Sequence, residues 1–205
     1  MKEINMQKLS LFPTDIWLGK LSLSADYKKQ LTQDLYTKKK TLRLPERSNR
    51  GSWQTHKLLH QEQLYKPLCQ QFTQIILPIF TKAAECSFAQ LWAQISKKGD
   101  WNELHQHGGY YDLSGAFYLT VPPNSGVLYF RDPRPGAMMC PSQPFHSGWY
   151  YNVEVKDDDL LLFYPFLEHG AHAGTQTEDR IMFSFDINLI KKEGAQGIIN
   201  PHYTK

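Results

Sequence analysis

After Phe88 the chain changes its period. Short apolar or aromatic runs take over, AQLWAQIS, DLSGAFYLTV, GVLYFRD, YYNVEV, DLLLFYPF and RIMFSFDINL, separated by PPNSG, DPRPGAMMCPSQP, KDDD and AGTQTED. A period near two, broken by Gly and Pro turn clusters at this spacing, indicates an all-β sandwich or barrel. Upstream the pattern is helical. From Ser24 to Lys40, Leu31 and Leu35 stand four apart beside Tyr27 and Tyr36 among strong helix formers, which predicts an amphipathic surface helix. A more apolar stretch from Lys57 to about Cys86 predicts one or two helices, interrupted or kinked at Pro67 and Pro78. Between them LRLPERSNRGSWQT reads as a loop. The expected architecture is mainly β, with N-terminal helices covering one sheet face of a single domain. Its parts are a mostly helical support over 1–87, a β core over 88–192 and a tail over 193–205.

Composition narrows the function classes more than it names one. A chain of 205 residues with 41% apolar, 13% aromatic and 21% charged residues matches soluble globular averages and is neither fibrous nor globally disordered. Lys plus Arg at 23 against Asp plus Glu at 20 leaves a net charge of +3, too little to make nucleic acid or an anionic membrane the default partner. The basic segment Lys28 to Arg50, with eight Lys or Arg against Asp34 and Glu46, reads as a solvated helix face. Three cysteines, Cys69, Cys86 and Cys140, are an odd number without CxxC spacing, which fits a reducing cytoplasm. The N-terminus carries an early Glu and no continuous apolar region, so no signal peptide is read there. The apolar runs IILPIF and LLLFYPFL fall short of the roughly 18 to 20 residues of a membrane span. A soluble cytoplasmic protein is expected.

Eight His are the unusual entry, and position divides them. His105 and His107 form an HxH in NELHQHGG, and His169 follows the apolar run DLLLFYPF. In an extended segment residues i and i+2 point the same way, so His105 and His107 converge on one ion if a third ligand closes the site, and His169 is placed to do so. Imidazoles suit Fe, Zn, Cu or Ni, and three on one side of an ion leave positions open for substrate and water. His172 reads as a fourth ligand, a hydrogen-bond donor behind the site or a surface residue. His56, His60, His146 and His202 have no convincing partner spacing and read as solvated or packing residues. Arg180 opens an apolar strand eleven residues after His169. A permanent charge there is costly unless it meets an anion, most simply a carboxylate; the bland reading pairs it with Glu178, Asp179 or Asp186 at the surface.

These residues sit in blocks that resemble a known family. SLFPTDIW resembles its LFPTPxW, RSNRGSWQT its SNxGGWQS, and NELHQHGGYYDLSGAFYLTVPPNSGVLYFRDPRP its NxxHxHPxxxLSGxYYLxxPxxSGxLxFxDPR. LLLFYPFLEHGAHAGTQTEDRIMFSF is similar to LVLFPSxLxHxVxPNxxxxxRISISF. The family is that of the 2-oxoglutarate- and Fe(II)-dependent oxygenases related to the prolyl hydroxylases. The resemblance implies a double-stranded β-helix, a jelly-roll or cupin-like core, and a dioxygenase that hydroxylates an amino-acid, peptide or small-metabolite C–H bond. Succinate and CO2 would be the co-products and ascorbate the reductant in vitro. By position it implies that His105, His107 and His169 hold iron and that Arg180 binds the far carboxylate of 2-oxoglutarate, with Ser114 and Tyr118 as further co-substrate contacts. Tyr129, Asn102 and Trp92 are weaker neighbours on the same grounds.

Two departures stand out. The superfamily's usual HxD is HxH here, which leaves Asp112, five residues past His107, as an alternative carboxylate. The family's HP after the second His is HGG, so the glycines at 108 and 109 loosen the backbone and make Tyr110 and Tyr111 substrate-side candidates. The expected partners are O2 and a small-molecule or peptide substrate, with no membrane or nucleic acid and with a homodimer left open. Two other readings fit the same residues: a three-His zinc enzyme and a metal-free binding module on the same fold.

Overall fold

The structure, a computed structural model, describes residues 13–42, 46–139 and 149–195. Strand β1 (Ile16–Lys20) leads into helix α1 (Ala25–Thr41), and the short strands β2 (Asn49–Arg50) and β3 (Trp53–Gln54) precede two 3-10 turns and helix α2 (Lys66–Ile79). Then come β4 (Ala83–Ser96), β5 (Trp101–His105), β6 (Leu113–Thr120), β7 (Leu128–Arg131), β8 (Tyr150–Val153), β9 (Asp159–Phe163), β10 (His169–Ala171) and β11 (Arg180–Lys191). A six-stranded sheet runs β1-β9-β6-β11-β4-β3 and a five-stranded sheet β2-β5-β10-β7-β8. Every pairing between these strands is antiparallel. Two such sheets, face to face, form the double-stranded β-helix.

The helices form for local reasons and stay for tertiary ones. Ser24 caps α1 by accepting the Tyr27 amide, Asp26 lies in its first turn and Lys38, Lys39 and Lys40 in its last, as the helix dipole favours. Leu31 and Leu35 are fully buried. Pro67 lies in the first turn of α2, where its missing amide costs nothing, and Pro78 lies in the last turn. Leu68, Phe72 and Ile76 join the α1 leucines in a core against the outer face of the six-stranded sheet, where Phe72 stacks on Phe185 with centroids 4.6 Å apart. A smaller core between the sheets contains Ala116, Tyr118, Leu128, Phe130, Phe163 and Met182.

The mostly helical support over 1–87 also holds three whole strands, two of them in the stretch expected as a loop, and the start of β4 at Ala83, so the helix expected to reach about Cys86 ends at Ile79. β1 lies at the sheet edge, paired from Ile16 opposite Phe163 to Lys20 opposite Asp159, while β2 and β3 are two-residue strands with no period to read. β5 and β10 fall outside the six runs because one is polar and the other three residues long. Among the described residues no helix is long and apolar enough to cross a membrane.

Candidate active site

Period two sorts the central strands into a core face and a cavity face. On β11, Ile181, Phe183, Phe185 and Ile187 enter the helix-covered core, while Met182, Ser184 and Asp186 turn towards the space between the sheets. On β4, Leu91, Ala93 and Ile95 alternate in the same way with Gln90, Trp92 and Gln94, and on β6 Leu113, Phe117 and Leu119 alternate with Ala116 and Tyr118. The result is a cavity of about 460 Å³ between the sheets, bordered also by His105, His107, His169, Asn102, Phe163, Arg47 and Lys57.

The three histidines converge there. His169 lies opposite His105 in the antiparallel pairing of β10 with β5, and their rings are 4.4 Å apart. His107, two residues on, lies 5.6 Å from His105 and 5.0 Å from His169, ring to ring. One ligand nitrogen from each is within 4.8 Å of the others. Their other contacts fix which nitrogen is free. Nδ1 of His105 is 2.7 Å from the Glu103 carbonyl and Nδ1 of His169 is 2.9 Å from the Leu167 carbonyl. A carbonyl only accepts, so both Nδ1 atoms carry the proton and both Nε2 lone pairs remain for an ion. Burial pushes the pKa of His105 down and that of His169 well down, and the neighbouring imidazoles lower both further. Neutral imidazole is the ligand form.

His107 is held differently. Its Nδ1 lies 2.5 Å from Oδ1 of Asp186, a carboxylate only 1% exposed, and the Ser114 hydroxyl donates to the same oxygen at 2.6 Å while sitting 3.0 Å from Nδ1. Asp186 was read, if anything, as a surface partner for Arg180; it is instead buried behind His107. A polar residue at an alternate position of an otherwise apolar strand is the signal that marks it. The same contacts correct the reading of Ser114, which is fully buried, is absent from the cavity lining and acts on His107. Asp112 is also elsewhere: its Oδ2 accepts the Leu189 amide at 2.8 Å, outside the three-His cluster.

Arg180 is 2% exposed and has no carboxylate within ion-pairing distance among the described residues. One guanidinium nitrogen donates to the Gly126 carbonyl at 2.6 Å, while Nε has no partner among the described residues. Burial lowers its pKa, opposed by the nearby Tyr118. It lies just behind the lining, next to Tyr118, which does border the cavity. Its surface alternatives fail, since Asp179 meets Lys39 and Tyr36. The loop that reaches it needs Gly126: a Cβ there would collide with the His172 carbonyl.

The remaining candidates separate cleanly. Trp92 and Asn102 border the cavity; Trp92 lies 5.5 Å from the His107 ring and Asn102 accepts from Gln94. Tyr129 does not; it stacks on the exposed His172 with centroids 4.4 Å apart, and neither residue borders the cavity. Tyr111 donates no ligand to the cluster and instead meets Gln90 at 2.5 Å, while Tyr110 is fully exposed. His56 lies 3.2 Å from Glu62, and His60 is part-buried away from the cluster. Cys140, His146 and His202 lie outside the described residues. The cations Arg47 and Lys57 at the cavity mouth were not foreseen, because both belong to a segment read as loop or helix.

Residues 90–186, just under half of the 205-residue chain, match the family described as "Putative 2OG-Fe(II) oxygenase". No curated protein matches the chain. Among solved structures it is similar to a prolyl-4-hydroxylase of Pseudomonas putida, at TM-score 0.61 and 15% identity over 86% of this chain and 93% of that one. It is also similar to the α-ketoglutarate-dependent epimerase SnoN from nogalamycin biosynthesis, at TM-score 0.64 and 13% identity over 89% and 83%. HygX from Streptomyces hygroscopicus, solved with nickel, 2-oxoglutarate and hygromycin B, gives TM-score 0.61 and 13% identity over 86% and 83%. At these identities the likeness shows the fold. The family match spans the stretch that carries all three histidines and Arg180.

Proposed function

We propose, from the match of residues 90–186 to the family described as "Putative 2OG-Fe(II) oxygenase", that this chain is a dioxygenase of that kind acting on a C–H bond of an amino acid, peptide or small metabolite. The observation that carries the reading is the pairing of three convergent imidazoles with a buried arginine that has no carboxylate of its own. Residues 88–192 serve as the catalytic domain and the segment before them as its support. The two described thiols, Cys69 and Cys86, are free and raised in pKa by burial, which suits a reducing cytoplasm.

The donor set fits the metal. His105, His107 and His169 would hold Fe(II) through their free nitrogens, and Asp186 would offset its charge through His107. When bound, the iron supplies the O2 chemistry that couples oxidation of 2-oxoglutarate to succinate and CO2 with insertion of one oxygen atom into the substrate C–H bond. The chain's own work is orientation. Arg180 would hold the distal carboxylate of 2-oxoglutarate in a water-poor setting where a charge-assisted pair is strong. Tyr118 would floor the cavity beside it, and Phe163 and Met182 would keep water from the reacting centre.

The test is anaerobic titration of 2-oxoglutarate into the Mn(II)-loaded protein, followed by succinate formation with Fe(II), ascorbate and O2 and a mass-spectrometric search for +16 products. We expect 2-oxoglutarate to bind only with metal, and Arg180→Met to weaken it at least tenfold. Removing an unpaired buried charge should leave the metal-free Arg180→Met protein as stable as the parent or more so. Tight zinc binding without any affinity for 2-oxoglutarate would instead support a hydrolytic zinc site, and indifference to metal in the parent, His105→Ala and His169→Ala proteins would support a binding module.

A further inference from the structure

The cations of the basic segment divide into two groups. Lys28 pairs with Asp158, Lys38 with Asp34 and Glu62, Lys39 with Asp179 and Arg50 with Glu103. Arg47 and Lys57 have no carboxylate at ion-pairing distance among the described residues, and these are the two that border the cavity. Lys57 is part-buried, its ammonium 4.5 Å above the centre of the Trp92 ring, and Trp92 in turn lies against His107. The charge is thus fixed on the mouth side of the three histidines, one aromatic ring away from them. Arg180 is separately placed, outside the lining and hydrogen-bonded to the Gly126 carbonyl.

No carboxylate among the described residues forms an ion pair with either charge. Asp186 borders the cavity and acts on Lys57 through space, but its Oδ1 is hydrogen-bonded to His107 and Ser114. Glu46 accepts the Gly51 amide, and Glu103 is taken by Arg50. The other polar groups of the lining, besides the histidines, are uncharged: the carboxamides of Gln54, Gln90, Gln94, Asn102 and Gln106 and the hydroxyls of Ser48, Tyr118 and Ser184. Of these Gln90 keeps a buried Oε1 with no donor among the described residues. A part-desolvated ammonium and an unpaired guanidinium favour an anion, while an unfilled amide oxygen favours an N–H or O–H on the same ligand.

We propose that the substrate of this site is an organic anion, whose carboxylate or phosphate meets Lys57 and Arg47 at the mouth while a neighbouring donor meets Gln90. The proposal rests on the oxygenase reading for its reaction but not for its binding. It excludes polycationic substrates, which the two cations would repel.

Matched probes test it in the protein loaded with Mn(II) and 2-oxoglutarate, without O2. N-acetyl amino acids, their primary amides and N-acetyl amino alcohol phosphates are compared, and proximity to the metal is read from paramagnetic relaxation of the probe's protons. Acids or phosphates should bind at least tenfold more tightly than the matched amides. Lys57→Met and Arg47→Met should each reduce that preference severalfold, Lys57→Arg should restore most of it, and 2-oxoglutarate affinity should stay within twofold throughout. Equal binding of acids and amides, no relaxation of any anionic probe, or an unchanged preference in both Met variants would overturn the proposal. So would a loss confined to 2-oxoglutarate, which would make Lys57 a co-substrate contact. If 2-oxoglutarate fails to bind while the anion preference persists with Mn(II) alone, the oxygenase reading falls and this one stands.

Discussion

Asp186 resolves the charge question raised by a histidine where a carboxylate is usual. Three imidazoles bring no negative charge to a divalent ion; a buried carboxylate touching one of them supplies it at one remove. It also orients the ring, since a protonated Nδ1 facing Asp186 turns Nε2 towards the other two histidines. Asp186 is therefore a positioning residue. Asp186→Asn keeps an acceptor without the charge, and we expect metal affinity to fall about 10- to 100-fold, as for other partners of metal-bound histidines. Asp186→Leu should cost more, and Ser114→Ala less. Metal titration monitored by tryptophan fluorescence decides it; equal affinity in Asn and Leu variants would remove Asp186 from this role. His105, His107, His169 and Arg180 were legible because motif and offset are local. Asp186 was not, because its partners His107 and Ser114 lie 79 and 72 residues away, and the register of β6 against β11 that sets Ser114 opposite it is not local.

At the scale of elements, β11 is a strand with two occupations. Its odd-numbered residues from Ile181 to Ile187 are core, and its even-numbered ones from Arg180 to Asp186 serve the cavity. Substitutions should therefore separate by parity. Phe185→Ala removes a fully buried ring stacked on Phe72, and should cost about 3–5 kcal/mol of stability with metal affinity unchanged in the folded fraction. Ser184→Ala should change stability by less than about 0.5 kcal/mol and alter only the cavity wall. Urea unfolding beside metal titration measures both; a Phe185→Ala protein of undiminished stability would contradict the core assignment. Parity also explains what was readable. Both helices and six of the strands announced themselves by period, whereas β1, β2, β3, β5 and β10 are too short or too polar to carry one. Those strands exist because a partner already presents an edge to them.

At the scale of the molecule, stability and metal loading share a pH dependence. His105, His169 and His60 all have pKa values depressed by burial. Below the ordinary imidazole value of about 6.5 the unfolded chain takes up protons that the folded chain refuses, so these groups make stability fall as pH drops. Above that value they leave it flat. The metal-free protein should show a lower urea midpoint at pH 5.5 than at pH 7.5, with a smaller difference in His169→Gln; an identical pH response in that variant would count against the burial of His169 as its source.

The cavity also sets an order of traffic. Its lining runs from exposed Arg47, Gln106 and Gly108 to buried Tyr118 and Leu128, and Arg180, buried outside the lining, acts electrostatically with Tyr118. A molecule seated against Arg180 obstructs no one, but a molecule lodged at Lys57 stands in the doorway. On the proposed function, loading would be a queue in which the co-substrate enters first, and a crowd of substrate should slow turnover by holding the door shut. Inhibition at high substrate that rising 2-oxoglutarate relieves would be the kinetic trace of that queue, and its absence would mean a second way in.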